Sequence, residues 1–407
     1  MNLKQLLILG LVLAVLGGAA LMLVKKDAAT RQGGGRSAGG ELLADLPVGE
    51  ELAQLSIRQG TNTLTLLKVD GVWAVAERGN YPANYAEISR TVLQLRDLKP
   101  AQTEQVSGAH LGRLELLEPG APAGGGTVIE FRDTAGQPLA SLLLGKQQTT
   151  LQDAPASQFG PGGPREVPIG RWVMDPADPT VAALVSEVLS HIQPTPGPWL
   201  NKDFFKVEKI KSIEVRYPDQ VTNSFRLSRE NESGEWALAG LDPGLELDAT
   251  KTSGFNYAFG SPSFEDVVLD AATTELGLDS PTRIMIETFN GFDYDITSGR
   301  TVDGKLPIRV AVQGVYPRER VADEGEEASV KAQRDKVFSD ALTLLDEKLK
   351  NEQALEPWTF LVSSWTLDPV LKKRGDLLKE KEAAESAAGA EAGVSPLEGL
   401  LDLPVSE

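Results

Sequence analysis

Residues 55–75, LSIRQGTNTLTLLKVDGVWAV, and residues 213–238, IEVRYPDQVTNSFRLSRENESGEWAL, follow one pattern twice. In the first, Leu55 and Ile57 alternate with polar residues, then Leu64 and Leu66 do the same. Asp70-Gly71 makes a turn, and Trp73 and Val75 alternate again. Side chains two apart share one face of a strand, so this reads as an antiparallel meander with one buried face. In the second, Ile213, Val215 and Tyr217 alternate, then Phe225 and Leu227, then a Ser233-Gly234 turn, then Trp236 and Leu238.

The likeness extends outward from these stretches. Gly71 to Gly234 and Trp73 to Trp236 share an offset of 163, and Leu111-Gly112 and Leu276-Gly277 one of 165. Ile129 and Phe131, before a turn at Gly136, match Ile284 and Ile286 before Asn290-Gly291 at offset 155. Asp178-Pro179 and Asp368-Pro369 read as paired helix starts, Asp as N-cap and Pro first in the helix, at offset 190. Such order, kept from end to end, indicates an internal duplication.

Helical periodicity marks Ala83 to Leu98, with Ile88, Val92 and Leu95 on one face, and Pro179 to Ile192, with Val181, Leu184, Val185, Val188 and Leu189. Strands and helices in this order predict an α+β fold, two tandem copies of a mainly antiparallel sheet-plus-helix unit, at 48–207 and 208–378. The second copy carries a charged helical insertion at 316–356, with Val337, Ala341, Leu344, Leu345 and Leu349 at helical spacing. In the first copy the variable loop is Gln147 to Pro168, rich in Pro and Gly.

Ahead of the repeats, Leu6 to Val24 is an uncharged run, long enough at about 1.5 Å per residue to span the hydrocarbon core. Leu6, Leu7, Leu11, Leu13, Leu16, Leu21 and Val24 are its anchor residues. Gly18-Ala19-Ala20 offers small residues for signal cleavage, but Leu21 to Val24 carries the apolar run past them, which favours a retained transmembrane helix over 1–24. Lys25 and Lys26 on the C-terminal flank favour a cytoplasmic body by charge, whereas the short N-terminal tail favours export. The exported, periplasmic orientation is the expectation, with the chain single-pass in a bacterial inner membrane. A Gly-rich linker occupies 25–47, and an acidic tail at 379–407 has the composition of a disordered segment.

Charge narrows the functional classes. The net charge is −18, and the first 36 residues carry +4, so the remainder stands at −22 and repels nucleic acid. No cysteine is present, which removes thiolate ligands, cysteine nucleophiles and disulfides. His110 and His191 are the only histidines, and a serine triad or multi-histidine zinc site needs more than they offer. Asp266, Asp270 and Asp279 lack calcium-loop spacing. An envelope hydrolase with paired carboxylates stays open as the remote enzymatic alternative. No catalytic, cofactor-binding or metal residue is assigned, and no cofactor is expected. Of the six tryptophans, Trp73 and Trp236 read as core, and Trp199, with Phe204 and Phe205, as the joint between the copies.

Gly-Val-Trp-Ala-Val at 71–75, Tyr81-Pro82, the helix ending Leu95-Arg96-Asp97-Leu98-Lys99, Leu111-Gly112 and Leu144-Gly145 carry a family resemblance. Together with the basic-ended anchor, and with Glu235-Trp236-Ala237-Leu238 and Leu276-Gly277-Leu278 in the second copy, the chain resembles the bacterial domain-of-unknown-function 4340 family. That resemblance implies a companion of ABC-type transporters of the gliding-motility kind, encoded beside an ATPase and a permease, with no catalytic residues to carry over. The expectation is therefore a non-enzymatic accessory or scaffold subunit of an envelope complex. The alternative is a ligand- or glycan-binding module using the cleft between the copies.

Overall fold

The alternating runs become strands, and their partners explain the alternation. In the computed structural model, which describes residues 41–379 apart from 45, 48, 155–162, 270–274 and 324, Leu55 and Ile57 lie on β1 (Leu52–Gln59). They face Leu66 and Leu64 of β2 (Asn62–Val69) on one side and Phe131 and Ile129 of β6 (Thr127–Asp133) on the other. All six side chains are fully buried. Burying an aliphatic or aromatic side chain stabilises by about 1.5–3 kcal/mol, so one face of this meander specifies its own register. Asp70 and Gly71 both take positive φ between β2 and β3 (Val72–Val75), as a two-residue hairpin turn requires.

The first sheet is completed by β4 (Tyr81–Pro82), β5 (Pro100–Gln105), β7 (Pro138–Ala154), β8 (Gly163–Met174) and β9 (Val181–Val185). Its nine strands are ordered β4-β3-β2-β1-β6-β7-β8-β9-β5, with antiparallel neighbours. Helix α1 (Tyr85–Arg96) is capped by Asn84, whose side chain accepts from Glu87 N, and buries Ile88, Val92 and Leu95 as its periodicity predicts. A short α2 (Ala109–Arg113) follows β5.

The second copy repeats the wiring. Strands β10 (Ile210–Arg216), β11 (Phe225–Ser228), β12 (Ala237–Leu238), β14 (Thr282–Thr288), β15 (Phe292–Ser298), β16 (Lys305–Gly314) and β17 (Thr359–Ser363) run β12-β11-β10-β14-β15-β16-β17, again antiparallel. Ile213 faces Leu227 and Ile286, and Val215 faces Phe225 and Ile284, the same positions as Leu55 and Ile57 in the first. The α+β expectation thus holds in its coarse form, two mainly antiparallel sheets with few helices. The second copy also carries a short helix α3 (Ala249–Thr252) and the insertion helix α4 (Ala328–Gln353). By contacts the chain divides into 1–203 with 264–270, and 204–263 with 271–407. The anchor residues, most of the Gly-rich linker and the tail after Lys379 lie outside the described residues. No described helix is long and apolar enough to cross a membrane.

Three expectations are corrected. Residues 179–192 are not helical: Val181–Val185 forms β9, paired on one side with β8 and on the other with β5. Val181, Ala183 and Val185 satisfy period two as well as Val181, Leu184 and Val188 satisfy a helix, and two flanking ladders decide between them. Asp178 caps a turn instead, its carboxylate accepting from Thr180 N and Oγ1, and Asp368 likewise sits in successive turns.

Second, the described parts of Gln147 to Pro168 form no loose loop, for β7 and β8 continue as a paired ribbon up to Ala154 and Gly163, and 155–162 lie outside the described residues.

The third correction concerns Leu276-Gly277. Leu276 O accepts from Arg300 N at 2.7 Å, and its equivalent in the first copy is Leu114 O, which accepts from Lys146 N at 2.7 Å. The true counterpart is Leu114-Glu115, three residues after Leu111-Gly112, with Glu115 and Gly277 both at positive φ. Gly145 and Gly299 follow the same geometry. A Cβ on either would fall against the carbonyl oxygen of Leu114 or Leu276, so both copies use glycine there.

Candidate functional site

The two copies differ chiefly in what each adds to the shared sheet. Where the second copy joins β15 to β16 by the short segment 299–304, the first extends β7 and β8 into the ribbon. Beyond Leu144 and Arg171 neither strand has any other sheet neighbour among the described residues, since β6 ends its pairing at Leu144 and β9 at Arg171. Leu151 and Ile169 on this arm are 69% and 50% exposed. Ile169 is the extra residue of a bulge, because Gln148 faces Gly170 and Thr149 faces Pro168.

The second copy adds α4. Its C-terminal end is pinned by a buried carboxylate: Glu352, 5% exposed, accepts from Lys206 N at 2.9 Å, Lys348 Nζ at 2.6 Å and Tyr294 OH at 2.9 Å. Tyr294 OH also lies 3.0 Å from Lys206 O. Burial, then the neighbouring Glu352 charge, pushes the Tyr294 phenol far above its ordinary range. The other end of α4 is tied to the preceding loop through Arg320, which meets Glu326 and Asp335, and Arg334, which meets Asp323 and Glu326. Phe338, Leu342 and Leu345 turn towards the strand ends and line a cavity of about 250 Å³ with Phe289, Val315 and Tyr316. Val337 and Leu344 lie elsewhere on the helix and are 63% and 67% exposed.

A second cavity, of about 280 Å³, opens on the first sheet. Its walls are apolar (Leu42, Leu43, Leu142, Val173, Val181 and Ala183), and Glu41, Asp175 and Asp178 also line it. Leu42 N donates to Leu98 O, which holds the start of the described chain beside it. An apolar pocket with few polar groups is the usual form of a small-ligand site, though this one is small.

Several titratable groups are committed to structure. His191 Nε2 lies 3.2 Å from Thr91 Oγ1, and burial lowers its pKa. His110 Nε2 is 3.7 Å from Glu104 Oε1. Arg171 is buried, with Nε donating to Gly145 O and Nη1 to Leu189 O, and burial lowers its pKa too. No group of three His, Asp or Glu among the described residues is placed to hold a metal ion.

Asp266 has a partner that sequence reading missed. It accepts a two-pronged bond from Arg78, Nε at 2.7 Å and Nη2 at 2.8 Å, which raises the Arg78 pKa. The surrounding segment 264–270, with β13 (Asp266–Val268), belongs to the first unit although it follows β12 in the chain. Lys202 Nζ reinforces it, donating to Phe264 O and Glu265 O and lying 4.4 Å from the Phe264 ring centre. Asp270 lies outside the described residues and Asp279 is exposed.

The expected joint residues fall in different units. Trp199 is buried in the first, its Nε1 donating to Gln193 O and its carbonyl accepting from Asn84 N. Phe204 and Phe205 stack edge to face in the second, with Phe360 against Phe204. Trp73 is core, whereas Trp236 is half-buried, its Nε1 donating to Asn256 Oδ1 and Arg229 lying over its ring.

A family model described as domain of unknown function (DUF4340) matches residues 73–281, running from β3 of the first copy to the start of β14 in the second. No curated protein and no solved structure matches the chain.

Proposed function

The chain belongs to the DUF4340 family, and from that premise we propose that it is a non-enzymatic accessory or scaffold subunit of an ABC-transporter-like envelope complex. The hydrophobic run Leu6–Val24 holds it in the inner membrane by a single pass, with the repeats on the periplasmic side. The observation that carries the reading is the pair of added elements. Each sheet buries its own core, yet the arm and α4 both extend beyond it and present Leu151, Ile169, Val337 and Leu344 to water. Exposed apolar side chains on ordered elements suit contacts with partner proteins.

Gentle solubilisation followed by capture through a tag on the tail after Lys379 tests this. An ATPase and a permease recovered in near-equal amounts is the expected result; recovery of the chain alone sinks the proposal. A ligand-binding module is the second reading, favoured by the apolar cavity beside Leu42 and Leu43. It expects Val173→Trp, which fills that cavity, to abolish binding of envelope glycan or peptide while leaving co-purification intact.

A further inference from the structure

Among the described residues the arm has one closed edge and one open edge. On the β8 side Pro164 and Pro168 carry no N–H, and prolines in a strand sit with that position turned outward, where they deny donors to any further strand. On the β7 side Gln147 to Asp153 contains no proline. The bulge at Ile169 is on β8, so this edge of β7 runs regularly from Gln147 onward. Its side chains are Gln147, Gln148, Thr149, Thr150, Leu151 and Gln152, uncharged, with Lys146 just before them and Asp153 just after.

Two physical facts bear on this edge. A two-stranded ribbon wet on both faces is marginal in water, and three or more strands are needed for independent stability. A body at −22 also repels its own copies, so close approach favours a surface whose charges sum to zero.

We infer that the β7 edges of two copies of this chain pair antiparallel about a two-fold axis at Thr150. The product is a four-stranded sheet, β8-β7-β7-β8, built from both arms. Thr150 faces its own counterpart, and Gln148 faces Gln152 of the second copy, so their carboxamides can bond across the strands. The antiparallel sense brings the Lys146 end of each edge to the Asp153 end of the other. Both outer edges are then the proline-bearing β8 strands, so growth stops at two copies and the interface closes on itself. This goes beyond the accessory-subunit reading, and it holds or fails independently of it.

The absence of native cysteine makes the test clean. Full-length chain carrying Thr150→Cys, in membranes, is oxidised with copper phenanthroline and compared with Glu166→Cys on the outer strand. The expected result is at least fivefold more disulfide-linked homodimer for T150C, unchanged by tenfold dilution of the protein in the membrane. In a second measurement, Gln148→Cys and Gln152→Cys are placed on differently tagged copies. They are expected to cross-link to each other at least fivefold better than either does to itself, which reports the antiparallel register and does not depend on T150C folding. Equal cross-linking of T150C and E166C, self-linking of Q148C as strong as its linking to Q152C, or capture of a different protein by T150C would each overturn the inference.

Discussion

Glu352→Ala is expected to destabilise the second unit by about 2–3 kcal/mol, and the estimate can be built bond by bond. Hydrogen bonds to a charged group contribute roughly 1.5–3 kcal/mol each, but not additively. Of the three that Glu352 accepts, the Tyr294 hydroxyl retains Lys206 O as an alternative acceptor at 3.0 Å. The Lys348 ammonium, 22% exposed, can swing to water, so its loss resembles that of a partly exposed pair at about 1 kcal/mol. The Lys206 N–H has no substitute in place and costs about 1–2 kcal/mol when left unpaired. Glu352→Gln keeps the volume and one acceptor, and should cost about half as much. Urea unfolding followed by circular dichroism gives the magnitudes, and amide exchange locates them. Faster exchange should begin at the C-terminal turns of α4 and at β15, where Tyr294 sits. A change below about 0.5 kcal/mol for E352A, or one without any effect on α4 exchange, would show that this carboxylate does not hold the insertion in place.

Other expectations follow from single contacts. Gly145→Ala and Gly299→Ala each drive a methyl into a backbone carbonyl, and should cost about 3 kcal/mol, read as a fall in melting temperature; an unchanged melt for both removes the equivalence drawn between them. Ser298, 1% exposed, has a hydroxyl with no partner among the described residues, and its counterpart in the first copy is Leu144, so Ser298→Ala should raise stability by about 1 kcal/mol in denaturant titration. Burial pushes the Tyr217 phenol up to about 12, its OH donating to Lys372 O. A raised folded value favours the neutral form, so this stability is whole below about pH 10 and is lost as pH rises towards 12. At pH 11 the wild type should therefore lose up to about 1.4 kcal/mol of its advantage over Tyr217→Phe relative to pH 9, and a constant difference across that range contradicts the assignment.

The sheet cores were legible because one face is buried: Leu55, Ile57, Ile129 and Phe131 alternate with polar residues, and the same alternation recurs at Ile213, Val215, Ile284 and Ile286. The hairpin at Asp70-Gly71 and the face of α1 were legible for equally local reasons. Legibility ended wherever a residue served something remote. The run Val181–Val185 fits two periods, and only its neighbours β8 and β5, dozens of residues away or bonded through backbone alone, make it a strand. The Leu-Gly dipeptide at 111–112 matched by letters, while the backbone placed the left-handed turn at Glu115, a residue type that gives no warning of it.

The arm and the 264–270 strap are hidden for a different reason. An arm wet on both faces has no hydrophobic period, so Gln147 to Asp153 reads as a polar loop although each of its residues has a register partner on β8. Asp266 looks like one carboxylate among many in an acidic chain, and its two bonds to Arg78 span 188 residues. A side-chain pair at that separation leaves no local trace. Yet it has a consequence for folding: the first unit cannot be complete until residues 264–270, which lie beyond β12, have been made and delivered to Arg78 and Lys202. A chain truncated after Asp203 would then present Arg78 without its carboxylate and leave Tyr81 without the edge-on Phe264 ring 5.9 Å away. Such a fragment should melt lower than the same unit in the full chain, and a peptide spanning 262–270 added in trans should restore part of the difference. If the fragment melts as the full chain does, the strap is an ornament of the fold and the two copies fold as independent units.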